Sequence, residues 1–243
     1  MEKNRVRQVY QSKTAACLLS LCAGFIDAYT FIERGGTLVA GQTGNVVFLS
    51  VEVVQHHTNE IEVKVATMVS FMFGIFLLSV VQPLLARVRW RLISLIPMLL
   101  LCLVIGFLPT EVSNLWIVPP LSFCMGFCAT AFSEVKGLVY NNSFMTGNIK
   151  KMMVAFGQFA RTREPIYWKE AVFFVCLVAS FGTGALSSAW LGSYFHLQTI
   201  WFAALVLLLF LALPFLIPIR LFQDEGPNHV RNEGLSPKYS ENS

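Results

Sequence analysis

The sequence predicts an all-α polytopic membrane protein: six transmembrane helices arranged as two inverted three-span repeats, each with a short broken or re-entrant helix at a Thr-Gly-Asn tripeptide. Three observations lead there. Hydrophobic residues make up 55% of the 243 and charged residues only 13%, where soluble domains carry roughly 25% charged residues. A soluble chain of this length has no interior able to hide that much apolar surface. Six runs are apolar enough to cross a bilayer, which takes about 20 mostly apolar residues as a helix. The tripeptide itself occurs twice, at Thr43 to Asn45 and at Thr146 to Asn148, each time just after an apolar run.

Residues 1–14 carry Lys3, Arg5, Arg7 and Lys13 and read as a cytoplasmic N-terminal segment. Span one covers 15–32. It lacks a small-residue cleavage site and holds an acid, Asp27, so it reads as a retained span and not a signal peptide. A helical piece at 43–56 follows, then span two at 65–86 and span three at 92–109, which completes a first repeat over 15–110. Span four at 115–133, a second piece at 146–160, span five at 170–191 and span six at 199–219 form the second repeat, 111–219. The two pieces are too short or too polar to cross comfortably. Residues 220–243 are polar and rich in Gly, Pro, Asn and Ser, the composition of a disordered cytoplasmic tail.

Lys and Arg in the short loops set the orientation. Arg87, Arg89 and Arg91 lie between spans two and three, and Lys150, Lys151, Arg161, Arg163 and Lys169 between spans four and five. Both groups fall on the side of the basic N-terminus, while HHTNEIE, PTEVSN and GSYFHLQ on the other side are poor in positive charge. The expected location is the cytoplasmic (inner) membrane, with both termini cytoplasmic.

The halves match in register. Gly24-Phe25, then Glu33-Arg34-Gly35, then the first Thr-Gly-Asn, are echoed by Gly126-Phe127, Glu134 to Gly137 and the second Thr-Gly-Asn, the offset drifting from 102 to 103. Three spans per unit is an odd number, so the second unit must enter the membrane in the opposite sense. Many secondary transporters share that plan, with the site near the midplane where the repeats meet.

The run AGFIDAYTF, the Gly-Gly pair, the first Thr-Gly-Asn and the later FMTGN with basic residues behind it resemble the bacterial YoaK family of membrane proteins, also called domain of unknown function 1275. The resemblance covers roughly 14–215 and implies a multi-span membrane protein of poorly defined role. One departure stands out. Where the family pattern has Gln-Asn after the second-half Gly-Phe, this chain has Cys128 and Ala129, so Asp27 has no polar counterpart there.

Asp27 is the most informative side chain, because an acid at mid-span costs on the order of 2.5 to 3.5 kcal/mol to insert. Either it takes up protons or cations at a functional site, or it is held by backbone near the first Thr-Gly-Asn or by Arg34. In the tripeptides, Thr suits an N-cap, Gly allows a tight turn and Asn supplies donors and an acceptor. The expected substrate-binding set is Asp27, Thr43, Gly44, Asn45, Thr146, Gly147 and Asn148. The alternative is that the glycines allow close crossings and the asparagines satisfy irregular backbone. Glu33 with Arg34, and Glu134 with Lys136, are expected as interfacial ion pairs or gates. His56 and His57 with Glu60 and Glu62 read as solvated loop residues. Ser180, Gly184, Ser188 and Gly192 form an i, i+4 row suited to helix packing within the chain or in a homodimer.

Other chemistry finds little footing. The six cysteines all fall within apolar runs and read as small buried hydrophobes; no metal or other cofactor is expected. The net charge of +4 comes without a basic groove, so nucleic acid is not an expected partner. The chain lacks G-x-S-x-G and H-E-x-x-H and has no His within a span to serve as base, so it is not expected to be an enzyme. The expected partners are the lipid bilayer and a small solute or ion. A small-solute secondary transporter, coupled to protons through Asp27, is the leading expectation; a non-transporting scaffold or regulatory membrane protein is the alternative.

Overall fold

The computed structural model describes residues 10, 12–82, 91 and 94–216. The basic N-terminal segment up to residue 9, the arginines at 87 and 89 and the tail expected at 220–243 lie outside the described residues. Helix α1 runs Lys13–Glu33, opened by Ser12, whose hydroxyl accepts from the Ala15 N–H at 3.1 Å. Gly35 and Gly36, at φ +82° and +68°, turn the chain out of it, a conformation that glycine adopts without steric cost.

Helix α2 (Gln42–Gln55) and helix α3 (Thr58–Val81) follow, then α4 (Leu95–Ile105) and α5 (Val118–Ala131). A two-residue hairpin pairs β1 (Glu134–Val135) with β2 (Leu138–Val139), antiparallel, Glu134 opposite Val139. Its turn, Lys136-Gly137, has positive φ at both positions, as a tight hairpin twisted to match its strands requires. Helix α6 (Met145–Thr162), the long α7 (Pro165–Phe195), a 3-10 turn at His196–Thr199 and α8 (Ile200–Leu216) are the last of the described elements.

Among the described residues, four stretches are long and apolar enough to cross a membrane: Lys13–Glu33, Thr58–Val81, Asn114–Ala131 and Pro165–Ala212. The last covers two of the expected spans, joined through the 3-10 turn. The expected third span differs. Its described part, α4, has 11 residues and is about 16 Å long at 1.5 Å per residue, against a hydrocarbon core of about 30 Å. Gly106 ends it, and residues 92 and 93 lie outside the described residues. Many large apolar side chains face outward, among them Met72, Phe73, Phe76, Leu186 and Trp190, as helices immersed in lipid present them.

The helices pair across the halves. Gly24 of α1 meets the Phe181 carbonyl of α7, and Gly184 of α7 meets the Leu21 carbonyl of α1 so closely that neither position has room for a Cβ. The same reciprocal contact joins α3 and α5: Gly74 against the Phe123 carbonyl, Gly126 against the Phe71 carbonyl. Ser20 donates to the Leu177 carbonyl at 3.1 Å, and Ser122 donates to the Thr67 carbonyl at 3.0 Å. Small residues that let backbones approach are how helices bind one another where lipid removes the hydrophobic incentive. The third pair, α4 and α8, meets where the Trp201 indole donates to the Leu103 carbonyl at 3.1 Å.

Three members of the row on α7 face the chain's interior: Gly184 and Ser188 are buried, and Gly192 lies beside the Glu33 carboxylate, while Ser180 is half-buried. Four of the cysteines are buried, as expected, but Cys176 is exposed and Cys17 partly so; all six are free thiols.

Candidate functional site

Residues 37–41, between the Gly-Gly turn and α2, are non-helical and held from several sides. Asp27, only 5% exposed, accepts the Ala40 N–H on Oδ1 at 2.7 Å. Ser122 and Gln42 both donate to the Val39 carbonyl, at 2.7 and 2.9 Å. Asn45 reaches back seven residues and takes both backbone groups of Leu38, accepting its N–H at 2.9 Å and donating to its carbonyl at 2.6 Å. Non-helical backbone at membrane depth needs such partners, because lipid supplies none.

The second half repeats the clasp with the same spacing. Asn148 accepts the Asn141 N–H at 3.1 Å and donates to the Asn141 carbonyl at 2.5 Å. Both asparagines are fully buried. The anchor below the loop is what differs. Ala129 occupies the position equivalent to Asp27, and Asn142 donates instead to the Cys128 carbonyl at 3.5 Å. Of the two equivalent positions, only that of the first half holds an acid.

A cavity of about 610 Å³ lies where the two helix starts approach each other. Asp27 and Phe31 of α1, Gln42, Thr43 and Gly44 of α2, Phe144 and Thr146 at the start of α6, and Phe181 of α7 contribute to its wall. Four of the seven expected binding residues, Asp27, Thr43, Gly44 and Thr146, therefore share one space. Asn45 and Asn148 stand behind it, engaged with backbone. Gly147 is exposed, outside the lining, with nothing within 4 Å of where a Cβ would be.

The threonines are not N-caps. Gly41 and Phe144 cap α2 and α6, without side-chain hydrogen bonds, and Thr43 and Thr146 each stand second in their helix. That register follows from the clasp, which needs Asn one turn into the helix to reach back over the loop. In the first turn the N–H groups have no intrahelical acceptor, and Thr43, Gly44 and Thr146 lie there beside the cavity.

Arg34 does not pair with Glu33 or with Asp27. Its guanidinium, 1% exposed, donates to the carbonyls of Ile105, Leu108 and Pro109 at 3.4, 3.0 and 3.4 Å, and to the Tyr29 hydroxyl at 3.3 Å. It closes the C-terminal end of α4, where orphan carbonyls and the negative end of the helix dipole favour a cation. Glu134 and Lys136 belong to the hairpin, apart from the cavity. Two salt bridges converge on Glu52, whose carboxylate lies 2.7 Å from the His57 Nδ1 and 3.3 Å from the buried Lys64 Nζ. Among the described residues, no three His, Cys, Asp or Glu side chains gather as metal ligands would.

Sequence reasoning missed Gln42, Ser122 and Ser143 as part of this centre. A signal for some of it was present. SLCAGF at 20–25 and SFCMGF at 122–127 carry the same Ser and Gly, and SFMFG at 70–74 and SFGTG at 180–184 mark the helices they cross.

No curated protein and no solved structure matches the chain. A family match does exist, over residues 15–213, and it takes in both clasps, both glycine crossings and the cavity between them. On that extent of agreement the chain belongs to the family described as protein of unknown function, DUF1275.

Proposed function

We propose that this protein is a small-solute secondary transporter of the cytoplasmic membrane, in which two three-span halves inserted in opposite senses alternate around the cavity. The observation that carries the reading is the cavity itself, which holds an intramembrane carboxylate between helix starts contributed by different halves. A charge inside a membrane is costly, and where it faces a cavity it marks an ion or substrate pathway. The reciprocal crossings support the repeat: span one of each half grips span two of the other through equivalent serines and glycines.

In this reading α1, α3, α4, α5, α7 and α8 are the six spans, and α2 and α6 are the broken helices that bring first-turn N–H groups to the cavity. Both termini are cytoplasmic. Asp27 carries the coupled proton, and its bond to the Ala40 N–H links its charge state to the loop that leads into α2. The set Asp27, Thr43, Gly44 and Thr146 meets the solute; Asn45 and Asn148 hold the loops that present it. No covalent chemistry is assigned to the chain.

The test is proton movement in proteoliposomes under an imposed pH gradient. The wild type should show solute-dependent proton flux, and Asp27→Asn should abolish it. Unchanged flux in that variant would remove Asp27 from coupling, and absence of any flux over a broad solute panel would contradict transport altogether.

A further inference from the structure

The cavity wall indicates what it accepts. Among the described residues that line it, Asp27 is the single ionisable side chain; no Lys, Arg or His faces the space. Three phenylalanines from three different elements, Phe31, Phe144 and Phe181, supply aromatic surface. Phe31 and Phe144 are set by neighbours, Phe31 against Phe48 at 5.6 Å between centroids and Phe144 edge-on to Phe71 at 5.5 Å. Hydroxyls of Thr43 and Thr146 and the Gln42 amide add neutral polarity. An anionic solute would find the first-turn N–H groups of α2 and α6 but no cationic side chain, and would be repelled by the Asp27 carboxylate. A neutral solute would leave that carboxylate uncompensated in a low-dielectric space, which is costly. A cation with an apolar body suits all parts of the wall, since aromatic faces attract cations and the carboxylate pairs with one.

We infer that the cavity binds a small organic cation, an ammonium or comparable onium group with an apolar substituent, its charge beside Asp27 and its body against Phe31, Phe144 and Phe181. The inference rests on the cavity being the transport site proposed above. Because a proton on Asp27 removes the charge that the cation needs, cation and proton take turns at one carboxylate. Their exchange then requires no second acid, in keeping with Ala129 at the equivalent position of the other half.

Isothermal titration calorimetry on the purified full chain in nanodiscs tests this with benzyltrimethylammonium, benzoate and benzyl alcohol, which share a ring and differ in charge. The expected result is that the wild type binds the cation at least tenfold more tightly than either of the others. Asp27→Asn should lower cation affinity at least tenfold while retaining a cooperative thermal transition. Equal or tighter binding of benzoate by the wild type overturns the inference, and so does failure to bind the cation; neither outcome depends on the variant folding. Flux separates the two proposals. A cation bound but never moved in proteoliposomes keeps this site and removes transport, whereas flux of some other solute with no cation binding keeps transport and removes this site.

Discussion

At the scale of single residues, the two asparagines of the Thr-Gly-Asn segments act as clasps, each bonded to both polar groups of a residue seven positions earlier. Removing one leaves a backbone donor and acceptor without side-chain partners, at about 1 to 3 kcal/mol for a buried polar group. Asn45→Ala and Asn148→Ala should each lower stability by about that amount in thermal unfolding of the detergent-solubilised protein. A variant matching wild type would show that the loops hold themselves. Glu52 offers a second residue-scale prediction. The His57 ring bonded to it holds its carboxyl below the ordinary range. A lowered folded value means that its stabilisation is present above the ordinary carboxylate pKa and is lost as pH falls through the lowered one. Glu52→Gln should therefore lower the Tm at neutral pH, with the difference from wild type shrinking in acid. The tripeptides were legible in the sequence as special sites, and the alternative reading, asparagines that satisfy irregular backbone, is the one the hydrogen bonds bear out; which residues they clasp was not legible, because the partners are backbone groups that a side-chain pattern does not display. Arg34 was misread for the same reason: its partners are three carbonyls and the Tyr29 hydroxyl, and no acid identifies them.

At the scale of elements, crossing glycines and helix-start glycines behave differently. A Cβ at Gly24 or Gly126 would strike a carbonyl oxygen of the crossing helix, and backbone there has little room to give. Gly24→Ala and Gly126→Ala should each cost about 1 to 3 kcal/mol, the usual penalty of overpacking. Gly147 has open space around it and an ordinary φ. Gly147→Ala should be neutral or stabilising by up to about 1 kcal/mol, and a large loss would mean that its site is crowded in the folded protein. The same unfolding measurement reads all three. Helix boundaries were largely legible: the pieces expected at 43–56 and 146–160 are Gln42–Gln55 and Met145–Thr162, because apolar runs, Gly-Gly and Pro165 punctuate the chain clearly. The third span was not, since the run through 92–109 is uniformly apolar and gives no sign that the helix stops at Gly106. Which helix crosses which was also hidden, although Ser20 with Gly24 and Ser122 with Gly126 carried the clue at a fixed spacing.

At the scale of the whole molecule, the pairing of each half's first span with the other half's second span makes the halves mutually dependent. Neither half closes its own glycine crossings, so each expressed alone should fail to give a monodisperse species, while co-expression should restore one. Size-exclusion chromatography of residues 1–110 and 111–243, separately and together, checks this; a well-behaved isolated half would contradict it. The apolar, helical, membrane-like character was legible from composition alone, and the matched Ser, Gly and Asn positions of the two halves from short motifs. The cavity was legible only in part: sequence supplied Asp27, Thr43, Gly44 and Thr146, whereas the aromatic wall from Phe144 and Phe181 depends on how α6 and α7 lie beside α1. The sense in which each half enters the bilayer decides whether those helix starts meet as opposed repeats. His57 and Glu164, both exposed, precede equivalent helices α3 and α7. Single cysteines at these two positions, in a background lacking the native thiols and probed in intact cells with a membrane-impermeant maleimide, test it most directly. The account predicts labelling at 57 from outside and at 164 only after permeabilisation; labelling of both from the same side would contradict it.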